Sequence, residues 1–240
     1  MKLEQLSIYI FLNLSSCLLT MASTEKTTIY LFPGQGSDYR IFNRIIWGNN
    51  YDTIHMHYPV PRANESLREY ALRFIPLIDT TSDFILLGVS LGGMICTELT
   101  DTLNPKKTIL ISSAKKSDEL PGRYTFQQFI KLNRMVPETT VKKGALVLQP
   151  IVEPDSKQDL DLFRSMLAAK DPTYLKRTVD MIINWDRTAY NPDIVHIHGD
   201  KDRTIPYRNV VADYTIEYGS HMMVYTRAAE ISEILHIILE

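Results

Sequence analysis

The sequence predicts an α/β fold with a mostly parallel sheet of about six strands and helices on both faces. From Thr27 onward, short runs of β-branched and aromatic residues alternate with segments of helical spacing. Strands separated by helices are joined by right-handed crossovers, which makes neighbouring strands parallel. The chain has 240 residues, 45% of them hydrophobic and 22% charged, which is the composition of a globular domain with a substantial core.

Six segments have the composition of strands, and the chain between them carries turn and helix signals. Pro33 and Gly34 stop the first strand, and Pro59 stops the second. Ser37 is the expected N-cap of a short helix. The predicted strands cover residues 27–32, 51–58, 83–88, 106–112, 193–198 and 212–218, and the predicted helices cover residues 38–46, 65–79, 94–103 and 227–239. The second helix should bury Leu67, Tyr70, Ala71, Phe74 and Leu77.

The alternation stops over residues 113–191, where helical patterns dominate. A compact domain rarely leaves a connection of this length without structure. We therefore predict a single domain over residues 23–240 that carries a helical lid insertion at about 113–191. The helices of the insertion are expected over residues 125–135, 157–169 and 172–184. Its large apolar side chains form either its own core, which we favour, or the lining of a pocket; they are Tyr124, Phe126, Phe129, Phe163, Met166 and Trp185.

Charge and cysteine content exclude several classes of protein. The net charge is −2 and the basic residues are scattered, so neither nucleic acid nor an anionic membrane surface is expected as a partner. Two cysteines, Cys17 and Cys96, do not imply a disulfide framework. Cys96 lies within a predicted helix and is expected to be a small buried residue.

Residues 1–22 are either a leader or precede the true start of translation. The apolar run in this segment resembles a secretory signal, and residues 14–17 resemble a lipoprotein box that would acylate Cys17. Glu4 and Asn13 weaken both patterns. A start at Met21 would give a cytoplasmic protein, which we favour over export or lipidation. A stable membrane partner is expected only if Cys17 is lipidated.

The motif G-V-S-L-G over residues 88–92 carries the first sign of chemistry. It joins a predicted strand to a predicted helix, and a serine on such a sharp turn projects freely above the sheet. The small residues two before and two after Ser90 give the turn the room that it needs. Chance alone predicts on the order of 0.03 such motifs in a chain of this composition. We therefore interpret Ser90 as a nucleophile.

A serine needs an adjacent base, and His221 is the best candidate among the six histidines. It alone lies in a loop after a late strand, where Gly219 would let the chain turn toward Ser90. The segment H-G-D-K-D-R-T-I-P over residues 198–206 resembles the acid-bearing loop of the α/β-hydrolase superfamily, in which H-G-x-x-D precedes a hydrophobic residue and proline. That resemblance implies Asp202 as the partner of His221, with Asp200 as the alternative.

The turn over residues 33–37 follows the first strand and has the sequence P-G-Q-G-S. Members of the superfamily usually carry His-Gly here, where this chain has Pro33 and Gly34. The resemblance implies that this turn supplies one backbone N–H to an oxyanion hole, which we assign to Gln35, and that Leu91 supplies the other. The Gln35 side chain either contacts substrate or belongs to a plain glycine-rich turn. The two strands that usually open the fold are missing, which implies a reduced sheet of six.

The chain order Ser90, Asp202, His221 is the order of this superfamily. The resemblance implies a serine hydrolase that cleaves a small ester or thioester through an acyl-enzyme on Ser90, without a metal or an organic cofactor. One alternative is an acyl-carrier-protein transacylase, which the F-P-G-Q-G-S segment resembles. Val89 and Gly93 depart from that family, and the acid-bearing loop has no place in it. The other alternative is a ligand-binding protein with an idle serine.

Overall fold

The computed structural model describes residues 26–122 and 159–240, together with residues 137, 140, 143 and 144. The predicted leader with Cys17, the predicted helix over residues 125–135 and the aromatic residues Tyr124, Phe126 and Phe129 lie outside this part of the chain. Within it, no helix combines the length and the apolar character that crossing a membrane requires.

Six strands form one sheet, in the order β2-β1-β3-β4-β5-β6, and every neighbouring pair is parallel. This confirms the predicted fold class. The two edge strands, β2 and β6, are shorter than predicted because each pairs on one side only. The strands are β1 (Thr27–Phe32), β2 (Tyr51–His55), β3 (Phe84–Val89), β4 (Lys107–Ile111), β5 (Val195–Gly199) and β6 (Tyr214–Ile216).

Six α-helices occur in the described part of the chain, and they cover both faces of the sheet. Successive side chains of a strand point to opposite faces. In β1, Ile29 and Leu31 join one hydrophobic cluster, whereas Tyr30 and Phe32 join the other. The helices are α1 (Leu67–Leu72), α2 (Leu91–Leu103), α3 (Leu160–Ala168), α4 (Pro172–Ile183), α5 (Met223–Thr226) and α6 (Ala228–Leu239). Helices α1 and α2 pack on the Tyr30 face, and α5 and α6 pack on the Ile29 face.

The helix predicted over residues 65–79 is shorter than expected. It ends at Leu72, and a 3₁₀ helix follows over Ile75–Leu77. Pro76 explains the end, because a proline ring collides with the carbonyl group four residues earlier. Four of the predicted core residues are buried, but Leu77 is 60% exposed.

The predicted helix over residues 38–46 is a single 3₁₀ turn, Tyr39–Phe42. Its N-cap is Asp38 rather than Ser37: the Asp38 carboxylate accepts a hydrogen bond from the Arg40 N–H. The Ser37 hydroxyl instead donates to the Gly34 carbonyl, 3.1 Å away, and so closes the 33–37 turn. The predicted cap was therefore wrong by one residue.

The described helices of the predicted insertion contribute to the cores of the domain. Phe163 and Met166 of α3 belong to the cluster on the Ile29 face, whereas Met181 of α4 and Trp185 belong to the cluster on the Tyr30 face. These side chains are at most 3% exposed. Phe163, Met166 and Trp185 therefore pack in the cores of the domain, whereas the sequence analysis had favoured a separate core of the insertion.

We expect Gly92→Ala to destabilise the fold. A Cβ atom at this position would lie 2.1 Å from the Phe32 carbonyl oxygen, and neither backbone can move without disturbing β1 or α2. The cost should be about 2–3 kcal/mol or more, as for other overpacked sites. Thermal or urea unfolding measures it. Gly48→Ala is the matched control, because a Cβ atom there would make only ordinary contacts of 3.4 and 3.6 Å with the Tyr51 ring; equal stability of both variants would contradict the prediction.

Candidate active site

Ser90 occupies the sharp turn between β3 and α2, as the sequence predicted. Its φ of 53° and ψ of −121° lie in a region that side-chain-bearing residues rarely adopt. The Ser90 N–H donates to the Ile111 carbonyl at 3.1 Å. The Ser90 carbonyl accepts from the Ser113 hydroxyl at 2.7 Å and from the Gly93 and Met94 N–H groups at 2.9 and 3.2 Å. The surrounding backbone thus holds the strained residue in place.

Two glycines make this turn sterically possible. A Cβ atom at Gly88 would lie 2.4 Å from the backbone of Gly92, and one at Gly92 would meet Phe32. The start of α2 is therefore in direct backbone contact with the ends of β1 and β3. Neither glycine has a positive φ, so the requirement at both positions is space rather than an unusual backbone conformation.

Ser90, His221 and Asp202 form one chain of hydrogen bonds. His221 Nε2 lies 2.9 Å from Ser90 Oγ, and His221 Nδ1 lies 2.8 Å from Asp202 Oδ2. An ionised carboxylate only accepts hydrogen bonds, so Nδ1 carries the proton. Nε2 then presents a lone pair to the Ser90 hydroxyl. All three predicted residues meet at the carboxyl ends of β3, β5 and β6.

Asp202 is buried, and its second oxygen is also bound. Oδ1 accepts from the Thr204 and Ile205 N–H groups, both at 2.8 Å. Burial alone would raise the pKa of this carboxyl group. The nearby His221, its hydrogen bond and His198 more than offset burial and hold the pKa of Asp202 below its ordinary value. Asp202 is therefore ionised at neutral pH and oriented by three hydrogen-bonding neighbours, Thr204, Ile205 and His221.

The alternative acid, Asp200, is placed differently. Its Oδ2 lies 3.1 Å from Nζ of Lys201, whose side chain is 56% exposed. No described contact joins it to His221, and its Oδ1 has no hydrogen-bond partner among the described residues. Asp202, and not Asp200, is therefore the carboxylate that the described contacts join to His221.

Two further histidines lie behind Asp202, both with 0% exposure. His198 Nε2 lies 2.9 Å from the Ile205 carbonyl oxygen, which can only accept, so Nε2 carries a proton. His198 Nδ1 then accepts from His196 Nε2 at 3.1 Å. Burial lowers the pKa of His198, and burial with the nearby His198 and Lys115 lowers the pKa of His196 well below its ordinary value. Within residues 26–122 and 159–240, no set of His, Cys, Asp and Glu side chains is arranged to hold a metal ion.

The acid loop and the histidine loop meet at a pair of glycines. A Cβ atom at Gly199 would lie 2.2 Å from the Gly219 carbonyl oxygen. Gly219 does not supply the sharp turn that we expected, since its φ is not positive. Tyr218 adopts that conformation instead, with φ of 56°. Gly219 serves the close approach of the two loops, which sets His221 against Asp202.

The 33–37 turn lies against Ser90. A Cβ atom at Gly34 would be 3.4 Å from the Ser90 Cβ. Leu91 is the first residue of α2, where an N–H has no acceptor within the helix. The Gln35 N–H likewise has no acceptor in the described part of the chain. The two backbone N–H groups that the sequence predicts for an oxyanion hole are therefore both without an acceptor in the described part of the chain.

Three features of the site were not predicted from the sequence. The Ser113 hydroxyl supports the Ser90 carbonyl from the end of β4. His196 and His198 pair behind the acid, although the alternate spacing of two histidines on a buried strand places them on one face. The Gln35 amide binds helix α4, at Leu175 O and Thr178 Oγ1, rather than the space above Ser90.

We expect stability to fall as the pH drops below about 6.5, the ordinary pKa of histidine. Because the folded pKa values of His196 and His198 are lowered, the unfolded chain binds more protons below this pH. The stability present above about pH 6.5 is lost as the pH falls toward the folded pKa values, by up to about 1.4 kcal/mol per pH unit and histidine.

Urea unfolding between about pH 7 and pH 5 measures this loss. The free energy of unfolding of the His196→Gln variant should depend less on pH, because glutamine keeps a donor for His198 but removes one titrating group. His236→Gln is the matched control, since the His236 side chain is 72% exposed. A pH dependence that is the same in both variants would contradict the prediction.

Comparison with known proteins gives structural matches only. No protein-family model matches the sequence, and no curated protein matches it significantly. A hydrolase from Oleispira antarctica superposes with a TM-score of 0.69 at 16% identity, over 90% of this chain and 92% of the other. An enol-lactonase from Burkholderia xenovorans LB400 matches with a TM-score of 0.66 at 14% identity, over 89% and 91% of the chains.

An esterase from Exiguobacterium antarcticum matches equally broadly, with a TM-score of 0.64 at 15% identity over 89% of this chain and 92% of the other. These identities are too low to transfer an activity, but the matches span nearly the whole of each chain. They agree with the parallel sheet and with the strand–turn–helix at Ser90. The protein therefore has the α/β-hydrolase fold.

Proposed function

We propose that the protein is a serine hydrolase that cleaves a small ester or thioester through an acyl-enzyme on Ser90. The observation that carries this proposal is the continuous hydrogen-bonded chain from Ser90 Oγ through His221 to Asp202, with contacts of 2.9 and 2.8 Å. Nucleophile and base are within the distance that proton transfer requires, and the base is oriented by a buried carboxylate.

The first half of the cycle forms the acyl-enzyme. His221 Nε2 accepts the Ser90 proton as Oγ attacks the carbonyl carbon of the substrate. Asp202 stabilises the imidazolium that results, and it stays ionised because its neighbours hold its pKa low. The Leu91 and Gln35 N–H groups bind the oxyanion of the tetrahedral intermediate. His221 then gives its proton to the leaving alcohol or thiol, which departs.

The second half of the cycle repeats these steps with water. His221 removes a proton from a water molecule that attacks the acyl carbon, and the same two N–H groups bind the second oxyanion. Ser90 leaves with the proton that His221 returns. The net reaction converts an ester and water into an acid and an alcohol, or a thioester and water into an acid and a thiol.

Several observations favour an ester over the alternatives. The similar structures include an esterase and an enol-lactonase, both of which break an acyl–oxygen bond. Asp202 and His221 are supplied by the loops after β5 and β6, in the arrangement that a hydrolase needs. An idle binding protein would have no use for a strained serine hydrogen-bonded to an oriented base. A small-molecule ester or thioester is accordingly the proposed partner.

Ser90→Ala should abolish hydrolysis of p-nitrophenyl acetate and butyrate. Without the nucleophile no acyl-enzyme forms, so kcat should fall by roughly 10⁴-fold or more. A fluorophosphonate probe should label the wild-type protein and leave this variant unlabelled. Ser165→Ala, which removes an exposed serine of α3, is the control and should keep both properties. Equal hydrolysis by wild type and Ser90→Ala would refute the proposed function.

Substitution of the two competing acids separates their roles. Asp202→Asn should lower kcat by roughly 10³–10⁴-fold, because an amide cannot stabilise the imidazolium and selects the wrong tautomer of His221. Asp200→Asn should keep kcat within about 3-fold, because Asp200 has no contact with His221. Steady-state kinetics on the same esters gives both values. The assignment of the acid would be wrong if Asp200→Asn were the more damaging change.

A further inference from the structure

The 33–37 turn is fixed at several points other than Gln35 itself. The Tyr58 hydroxyl donates to the Pro33 carbonyl at 2.7 Å. The Ser37 N–H and hydroxyl both donate to the Gly34 carbonyl, each at 3.1 Å. These bonds hold the carbonyl groups of Pro33 and Gly34 in place. The Gly34 carbonyl and the Gln35 N–H belong to one planar peptide group, so the two Ser37 bonds hold this N–H from one side. The Gln35 side chain gives the same residue a second anchor.

The Gln35 side chain is bound at two points to helix α4, 140 residues further along the chain. Its Nε2 lies 3.1 Å from the Leu175 carbonyl oxygen and 2.6 Å from Thr178 Oγ1. The single proton of the Thr178 hydroxyl is donated within α4, where the carbonyls of Tyr174 and Leu175 lie 2.8 and 3.0 Å from Oγ1. Thr178 Oγ1 can therefore only accept from Gln35, and both protons of the amide are used.

Helix α4 is a fixed platform for this contact. Thr178 has 0% exposure, and Met181 and Ile182 lie in the core on the Tyr30 face. At a separate point, Arg177 Nη1 donates to the Pro61 carbonyl at 2.6 Å. The helix therefore stays docked through contacts that do not involve Gln35. A bond from Gln35 to α4 therefore adds little to docking, but it anchors residue 35 to the helix in addition to the bonds that Ser37 makes to Gly34.

We propose that Gln35 is a positioning residue, whose side chain fixes its own backbone N–H for oxyanion binding by hydrogen bonds to Leu175 and Thr178. This inference rests on the proposed function, since it concerns the oxyanion of the acyl transfer to Ser90. An N–H displaced by a fraction of an ångström binds the tetrahedral intermediate less well, while the planar ground-state substrate is affected little. The side chain thus acts on the transition state through helix α4 and not through contact with substrate.

The test compares Gln35→Met with wild type on p-nitrophenyl butyrate. Methionine keeps the length of the side chain and the backbone N–H, but it cannot donate to α4. The expected result is a fall in kcat of roughly 10–100-fold, less than for loss of an oxyanion donor, with KM changed by less than about 3-fold. The Ki of a trifluoromethyl ketone, which forms an oxyanion on Ser90, should rise by the same factor as kcat/KM falls.

Thr178 provides a second, independent pair of variants. Thr178→Val removes one acceptor of the Gln35 amide and should shift kcat and Ki in the same direction by a smaller factor. Thr178→Ser keeps the hydroxyl and should restore both values. This pair keeps the proposal testable if Gln35→Met does not fold.

Arg177→Met is the matched control, because it releases α4 at Pro61 and leaves the Gln35 contact intact. It should leave kcat and Ki within about 2-fold of wild type. Equal losses in Arg177→Met and Gln35→Met would overturn the proposal, because docking of α4 would then explain both. Wild-type kinetics in Gln35→Met would overturn it as well. Either result with Ser90→Ala inactive leaves the proposed function standing, whereas an active Ser90→Ala removes that function.

Discussion

The close contact between the start of α2 and the ends of β1 and β3 is the constraint on which the site depends. A Cβ atom at Gly92 would lie 2.1 Å from the Phe32 carbonyl oxygen, so not even a methyl group fits there. This contact forces the chain to reverse direction within one residue, and that residue is Ser90, at φ of 53°. The strain costs on the order of 1–3 kcal/mol, which the surrounding hydrogen bonds and the buried cores offset.

A second backbone contact brings the other half of the site to Ser90. Gly199 and Gly219 touch across the ends of β5 and β6, and the loops that follow them carry Asp202 and His221. Since all six strands are parallel, their carboxyl ends lie at one edge, and three distant segments converge there. The relative positions of Ser90, Asp202 and His221 are therefore set by backbone packing beneath the site.

The sequence was sufficient to predict the sheet and the three residues that meet at its edge, because both depend on local signals. Strand runs, the small residues around Ser90 and the spacing of the acid-bearing loop are readable one segment at a time. Contacts that join segments far apart were not predictable. Nothing near Gln35 indicates that its amide binds Thr178, and nothing near Phe163 indicates that it packs in the core of the domain. Pro76 was also visible in the sequence, but the helical spacing of the apolar residues around it predicted one continuous helix instead of one that ends at Leu72.

Glu98 ties the predicted insertion to the sheet in a way that limits how this fold could be shortened. Its carboxylate is 5% exposed at residue level, accepts from Trp185 Nε1 at 2.7 Å and pairs with Arg187 at 3.3 Å. Both partners lie within residues 113–191, whereas Glu98 lies in α2 directly below Ser90. A minimal enzyme made by excising that segment would keep a carboxylate facing a dry interior with no cation or donor beside it. The described parts of the segment, residues 113–122 and 159–191, are thus an integral layer of the domain and could not be removed without loss of the fold.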